Sequence, residues 1–261
     1  MELLGTKATL LRVRMAEQKD GGCSPGGAAA HPGSPPPSSM GPLIRSREEW
    51  LQLLATTIEW HLQGEKPEVH YDSAFEIIER SGAAGLWREG DTILDIGCGN
   101  GRLAIPLTTR DVRYIGVEPI AACVEFCRRA FAPWPNLRFV HVDLKSERYN
   151  PDGTINPLEF VFPIEDRSVD TILFASVFTH LGTLEVCKRY LDEALRVLKP
   201  GGRIGCSWFR SPPNTVCSDT SRIVFLESDI INLLKPFRVL HTEGGLTDGC
   251  HDQWVMMLQK P

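Results

Sequence analysis

Residues 92 to 103 read Thr-Ile-Leu-Asp-Ile-Gly-Cys-Gly-Asn-Gly-Arg-Leu, an apolar run that meets an acid and opens into three alternate glycines. Thr92 to Ile96 has the β-branched, apolar character of a strand buried on both faces, as in a parallel sheet. Arg102 to Leu107 can begin the helix that follows. Gly97, Gly99 and Gly101 form the joint between them, where a tight turn and a close ligand approach both call for bare backbone at a helix start. The spacing is G-x-G-x-G, with Asp95 two residues before the first glycine. It departs from the G-x-G-x-x-G dinucleotide fingerprint and points away from a nicotinamide nucleotide.

The runs that follow repeat one theme. Arg113 to Val117 reads as a second strand and ends in Glu118, twenty-one residues after Gly97. An acid at that strand tip is placed to accept hydrogen bonds from both hydroxyls of a ribose. Leu137 to Val142 reads as a third strand, ending in Asp143 and Leu144, where an acid can accept from an exocyclic amine while the adjacent apolar residue covers a ring face. Three strands that each end in an acid at one sheet edge describe a pocket for a positively charged nucleoside. The alternative for Glu118 and Asp143 is a solvated strand end.

At these residues the chain resembles the class I S-adenosylmethionine-dependent methyltransferases; through the long segment Leu144 to Arg167 together with Ser176-Val-Phe-Thr-His-Leu181 it resembles the type 11-like, bacterial small-molecule subgroup. The likeness continues through Asp166-Arg-Ser-Val-Asp170 and Leu195-Arg-Val-Leu-Lys-Pro-Gly-Gly202, spanning roughly residues 72 to 259. It implies that Gly97 to Gly101, Cys98 included, hold the methionine portion of S-adenosylmethionine, Glu118 the ribose and Asp143 the adenine amine, with Asp95 and Leu144 also at the cofactor. It also implies a seven-stranded sheet in the order 3-2-1-4-5-7-6, with the last strand antiparallel. The chain is expected to methylate a small-molecule acceptor, at oxygen, of the kind met in glycan or secondary-metabolite synthesis.

The rest of the sequence fits a doubly wound α/β domain over residues 43–261. Ser46-Arg-Glu-Glu49 is a capping box, and Trp50, Leu54, Ile58 and Leu62 recur at helical spacing, so a helix is predicted from about Arg47 to Gln63. A second, short helix is expected over Ser73 to Arg80. The polar link Glu65 to Tyr71 between them is either a lid over the cofactor mouth or a connector that packs Tyr71 against the first helix. Further helices are predicted at Ile120 to Phe131, Leu184 to Leu198 and Asp229 to Leu234. Further strands are predicted at Val169 to Ala175, Arg203 to Trp208, Phe237 to Thr242 and Gln253 to Leu258. The connection Leu144 to Arg167 is unusually long and carries the turn Tyr149-Asn-Pro-Asp-Gly153.

Gly21 to Pro42 is rich in Gly, Pro and Ser without periodic apolar positions, so residues 1–42 are expected to be a disordered extension. A transit peptide is opposed by Glu2, Glu17 and Asp20, and an upstream start with the natural one near Met40 would explain the segment equally well. The formal net charge of −5, with no basic face, excludes the usual footprint of a nucleic-acid partner. No apolar run is long enough to span a membrane. Eight dispersed cysteines without a C-x-x-C pair read as buried thiols in a reducing cytoplasm, and no metal is expected, although Cys123 and Cys127 lie four apart. The oligomeric state is not legible.

Transfer of a methyl group to an oxygen needs a base. His180, a few residues beyond the fourth strand, is the candidate, with helix-start packing as the alternative. His251 and Asp252 either reach the same mouth or form a hairpin turn. Trp208 and Phe209 either line the acceptor pocket or belong to the core. Two rival functions stand beside methyl transfer: a catalytically inactive partner subunit that still binds the nucleoside, and a nicotinamide-dependent oxidoreductase, which the glycine spacing disfavours.

Overall fold

The computed structural model describes residues 45–56, 66–210, 224–247 and 252–261, with residues 210, 245–247 and 252–254 described along the backbone only. The predicted extension over residues 1–42, the stretch 57–63 of the predicted first helix and Glu65 of the predicted link lie outside the described residues, as does His251.

Seven strands form one sheet: β1 (Thr92–Ile96), β2 (Arg113–Glu118), β3 (Leu137–His141), β4 (Val169–Phe174), β5 (Leu198–Arg210), β6 (Arg238–Thr247) and β7 (Asp252–Gln259). Their order is β3-β2-β1-β4-β5-β7-β6, as the family resemblance implied. The first five run parallel, and β7 is antiparallel to both its neighbours. All five residues of β1 are buried, which is why its sequence shows no polar alternation. Ile93 faces one apolar layer and Leu94 the other, so helices are needed on both sides of the sheet.

On one side lie α1 (Arg47–Ala55), α2 (Pro67–Ala83), the single turn α3 (Ala104–Leu107) and α4 (Ala121–Ala130). Trp50, Leu54, Ile78 and Leu107 from them, with Phe131 just past α4, form one layer with Ile93 and Tyr114. On the other side α5 (Leu184–Val197) and α6 (Glu227–Leu234) cover Leu94, Ile172 and Ile204 with Tyr190, Leu191, Ala194 and Ile230.

The capping box at Ser46 forms as read, with Glu49 accepting from the Ser46 backbone N–H at 2.7 Å. The second helix differs from expectation. It runs seventeen residues, not the short Ser73 to Arg80 segment, because Pro67 takes the first helical position, where its fixed φ favours the helix and its missing N–H costs nothing. Residues 67–71 of the expected link are therefore helix, and a loop lid there is corrected. Tyr71 packs on Phe75 with ring centroids 4.8 Å apart, beneath the guanidinium of Arg47, which meets the connector alternative in part. The fifth strand starts at Leu198, five residues early. Lys199 to Gly202, which fall between the predicted helix and the predicted strand, are absorbed as an irregularity in pairing between Val169 and Thr171, with Gly201 at a φ of +75°.

Candidate functional site

The carboxyl ends of β1, β2 and β4 bring three loops together. All three glycines of the first loop take positive φ: +73° at Gly97, +57° at Gly99 and +78° at Gly101. The backbone N–H groups of Gly97 and Cys98 both donate to the Val117 carbonyl, at 2.8 and 3.2 Å, so the loop is stitched to the neighbouring strand from its first residue. Gly99 then donates to Glu118 Oε2 at 2.8 Å. The other carboxylate oxygen accepts from the Ile120 N–H at 3.0 Å. Glu118 is thus a buried hinge between the glycine loop and the start of α4. Burial pushes its carboxyl up to about 7, against the pull of the Ile120 and Gly99 N–H groups.

Asp95 lies within β1 with 2 % of its surface exposed. Its Oδ2 accepts from the Tyr114 hydroxyl at 2.7 Å, while Oδ1 is buried with no partner. Burial raises this carboxyl also to about 7, with the Tyr114 hydrogen bond acting in the opposite sense. A buried carboxylate oxygen without a donor is costly, and a ligand that brings a positively charged donor would satisfy it. Bare glycine backbone, an orphaned acceptor and a second buried acid suit a cationic ligand that carries hydroxyls.

Beneath the loop, burial pushes the Cys98, Cys123 and Cys127 thiols up, which keeps them protonated. Cys127 Sγ leans 3.5 Å from the Gly99 carbonyl. Among the described residues, no cluster of three His, Cys, Asp or Glu side chains is placed to hold a metal, and no helix is long and apolar enough to cross a membrane.

Asp143 sits half-buried just past β3 and organises the long connection. Its Oδ2 accepts from the Thr154 hydroxyl and N–H at 2.6 and 3.1 Å, and its Oδ1 from Asn150 Nδ2 at 3.1 Å, which together hold its carboxyl below the usual range. Leu144 is buried beside it. The next residue back from Asn150 is Tyr149, whose ring meets the His180 ring edge-on at 5.4 Å. His180 closes a single 3₁₀ turn, Phe178–His180, and its N–H donates to the Val177 carbonyl. Val177 in turn abuts the glycine loop: a Cβ on Gly97 would stand 3.0 Å from Val177 Cγ2. Glu118, the glycine loop, Asp143 and His180 therefore belong to one connected edge.

Three features escaped the sequence. Ser176 takes a φ of +59°, strained for a residue with a Cβ, with its N–H held by Ser207 Oγ at 3.0 Å. His70 of α2 meets Asn100 of the glycine loop, Nε2 to Oδ1, at 2.8 Å. Glu193 of α5 is buried under Arg196 and Arg189. Trp208 resolves toward the core: it is fully buried and stacks on Phe178 with centroids 4.0 Å apart. The side chain of Asp252, like His251, lies outside the described residues.

Residues 94–204 match the methyltransferase domain family. An uncharacterized methyltransferase of Mycobacterium tuberculosis is 29% identical over 116 residues, which cover 44% of this chain and 39% of that protein. The demethylmenaquinone methyltransferase of Clavibacter sepedonicus is 29% identical over 124 residues, 48% of this chain and 43% of that one. The chain thus spans less than half the length of these curated relatives. The crystal structure of a SAM-dependent methyltransferase from Methanosarcina mazei superposes with a TM-score of 0.54 at 17% identity, covering 68% of this chain and 96% of that one.

Proposed function

We propose that this chain, whose residues 94–204 match the methyltransferase domain family on a class I S-adenosylmethionine-dependent methyltransferase fold, transfers a methyl group from S-adenosylmethionine to an oxygen of a small-molecule acceptor. The observation that carries this reading is the bond from Gly99 N–H to Glu118, which ties the glycine loop and the second-strand acid into one buried cradle. When bound, S-adenosylmethionine supplies a methyl group on a sulfonium, which departs to an attacking lone pair while the sulfur keeps the electrons of the broken bond.

The chain's own residues have narrower tasks. Gly97, Cys98, Gly99 and Gly101 present backbone to the methionine portion, and Asp95 offers its orphaned Oδ1 to a cationic donor. Glu118 accepts from the ribose hydroxyls, and Asp143 with Leu144 receives the adenine. His180 takes the proton from the acceptor hydroxyl as oxygen attacks, while the surrounding walls align the acceptor and exclude water. The acceptor is a small molecule, with neither nucleic acid nor membrane as partner, and the reaction is cytoplasmic.

The test is turnover of isotopically labelled methyl donor across a panel of hydroxylated acceptors, with His180→Ala beside the parent chain. Loss of the base should lower turnover by about 10²–10⁴-fold and leave cofactor affinity nearly intact. Unchanged turnover from pH 6 to 9 would instead point to an acceptor that needs no base. A parent chain that binds cofactor and methylates none of the panel would favour the inactive partner-subunit reading.

A further inference from the structure

The glycine loop is gripped on its β2 side by the Val117 carbonyl and the Glu118 carboxylate. Its other grip comes from α2, which lies wholly before the residues that match the family. His70, on the second turn of that helix, is 4 % exposed, and Asn100, between Gly99 and Gly101, is fully buried. Their side chains meet at 2.8 Å across thirty residues of sequence. The Asn100 Oδ1 is a carbonyl oxygen with no proton to give, so Nε2 of His70 donates.

The helix that carries His70 is itself fixed. Ala74 and Ile78 on the same helix are fully buried, Ile78 in one apolar layer with Trp50 and Leu54 of α1, and Pro67 sets the first turn. The loop is the softer partner, because glycines on both sides of Asn100 take positive φ and leave that backbone many alternatives. A rigid helix that holds the one side chain between two permissive residues decides which of those alternatives the loop occupies.

We propose that His70 is a positioning residue of the cofactor site: by donating to Asn100, it holds residues 99–101 in the conformation that receives the homocysteine portion of the cofactor. The inference rests on the reading that this loop holds that portion. It also makes α2 part of the cofactor site, although the helix lies outside the matched domain.

Calorimetric titration of the full chain with S-adenosylhomocysteine, and separately with adenosine, tests this. His70→Phe fills the space without a donor, and His70→Gln restores an N–H near the place of Nε2. His70→Phe should bind S-adenosylhomocysteine about tenfold more weakly than the parent, and His70→Gln within about threefold of it. Adenosine, which lacks the amino-acid chain, should bind all three alike. If His70→Phe does not fold, Asn100→Ala cuts the same bond from the loop side and should show the same selective loss. Parental affinity for S-adenosylhomocysteine in the folded variants would overturn the proposal, and so would equal loss of both ligands, which marks collapse of the whole pocket. A parent chain that binds neither ligand would bring down the cofactor reading as well.

Discussion

Two buried acids govern how the cradle responds to pH. Asp95 and Glu118 are pushed up to about 7 by burial, above the values near 4 that they take in an unfolded chain. Between about pH 4 and 7 the folded chain keeps protons that the unfolded chain gives up, so their contribution to stability falls as pH rises through that window and is lost above it. A cationic ligand favours the ionised forms, so its affinity should move the other way. S-adenosylmethionine should bind more tightly at pH 8 than at pH 6, and Asp95→Asn should flatten that dependence. A dissociation constant that does not change with pH in the parent would mean that the two acids do not face the ligand. Both acids were legible in the sequence, because Asp95 interrupts an apolar run two residues before the first glycine and Glu118 ends the next one. His70 was not: its partner is thirty residues away, and a histidine in a polar stretch carries no periodicity that would mark it as buried. Ser176 was equally hidden, since no sequence pattern announces a positive φ on a residue other than glycine.

The elements were legible where their burial was one-sided or complete, and obscured where a special residue changed the local rule. Pro67 looked like part of a link and instead starts a seventeen-residue helix; Lys199 to Gly202 fell between the predicted helix and strand and instead belong to the strand through irregular pairing. Glu193, a charged residue of α5 with no sequence signal for burial, accepts from the Phe162 N–H at 2.9 Å and pairs with Arg196 at 2.6 Å. Arg196 also donates to the Phe162 and Ile164 carbonyls, so one helix clamps the end of the long connection that carries Tyr149. Arg196→Met should lower stability by roughly 2–3 kcal/mol, less than breaking a fully buried ion pair costs, because the guanidinium is partly exposed. A melting temperature equal to the parent's would remove the clamp from the account. At the other side of the sheet, a Cβ on Gly101 would lie 2.7 Å from Phe131 Cε2 at a φ of +78°. Gly101→Ala should therefore cost about 2–4 kcal/mol, from backbone strain and overpacking together, read by denaturant unfolding. Unchanged stability would show that the loop has room the packing does not reveal.

At the scale of the whole molecule, the strand order does the positioning. The chain crosses from β1 to β2 on one side and returns to β4 on the other, so the loops after β1 and β4 diverge and leave a crevice at their carboxyl ends. This placement followed from the alternation of strands and helices, whereas the acceptor does not, because the residues that would shape it come from connections with no periodic signal. The fold alone does not decide the chemistry, since one architecture serves many ligands; the proposed function rests instead on the cradle of Gly97 to Gly101 with Glu118. The most direct measurement is a calorimetric titration of the chain with S-adenosylhomocysteine and with NAD, repeated on Glu118→Ala. One equivalent of S-adenosylhomocysteine should bind, NAD should not, and the substitution should weaken the first by about 1–3 kcal/mol. Binding of NAD in its place, or a Glu118→Ala chain with unchanged affinity for S-adenosylhomocysteine, would contradict the assignment of this edge as a methyl-donor site.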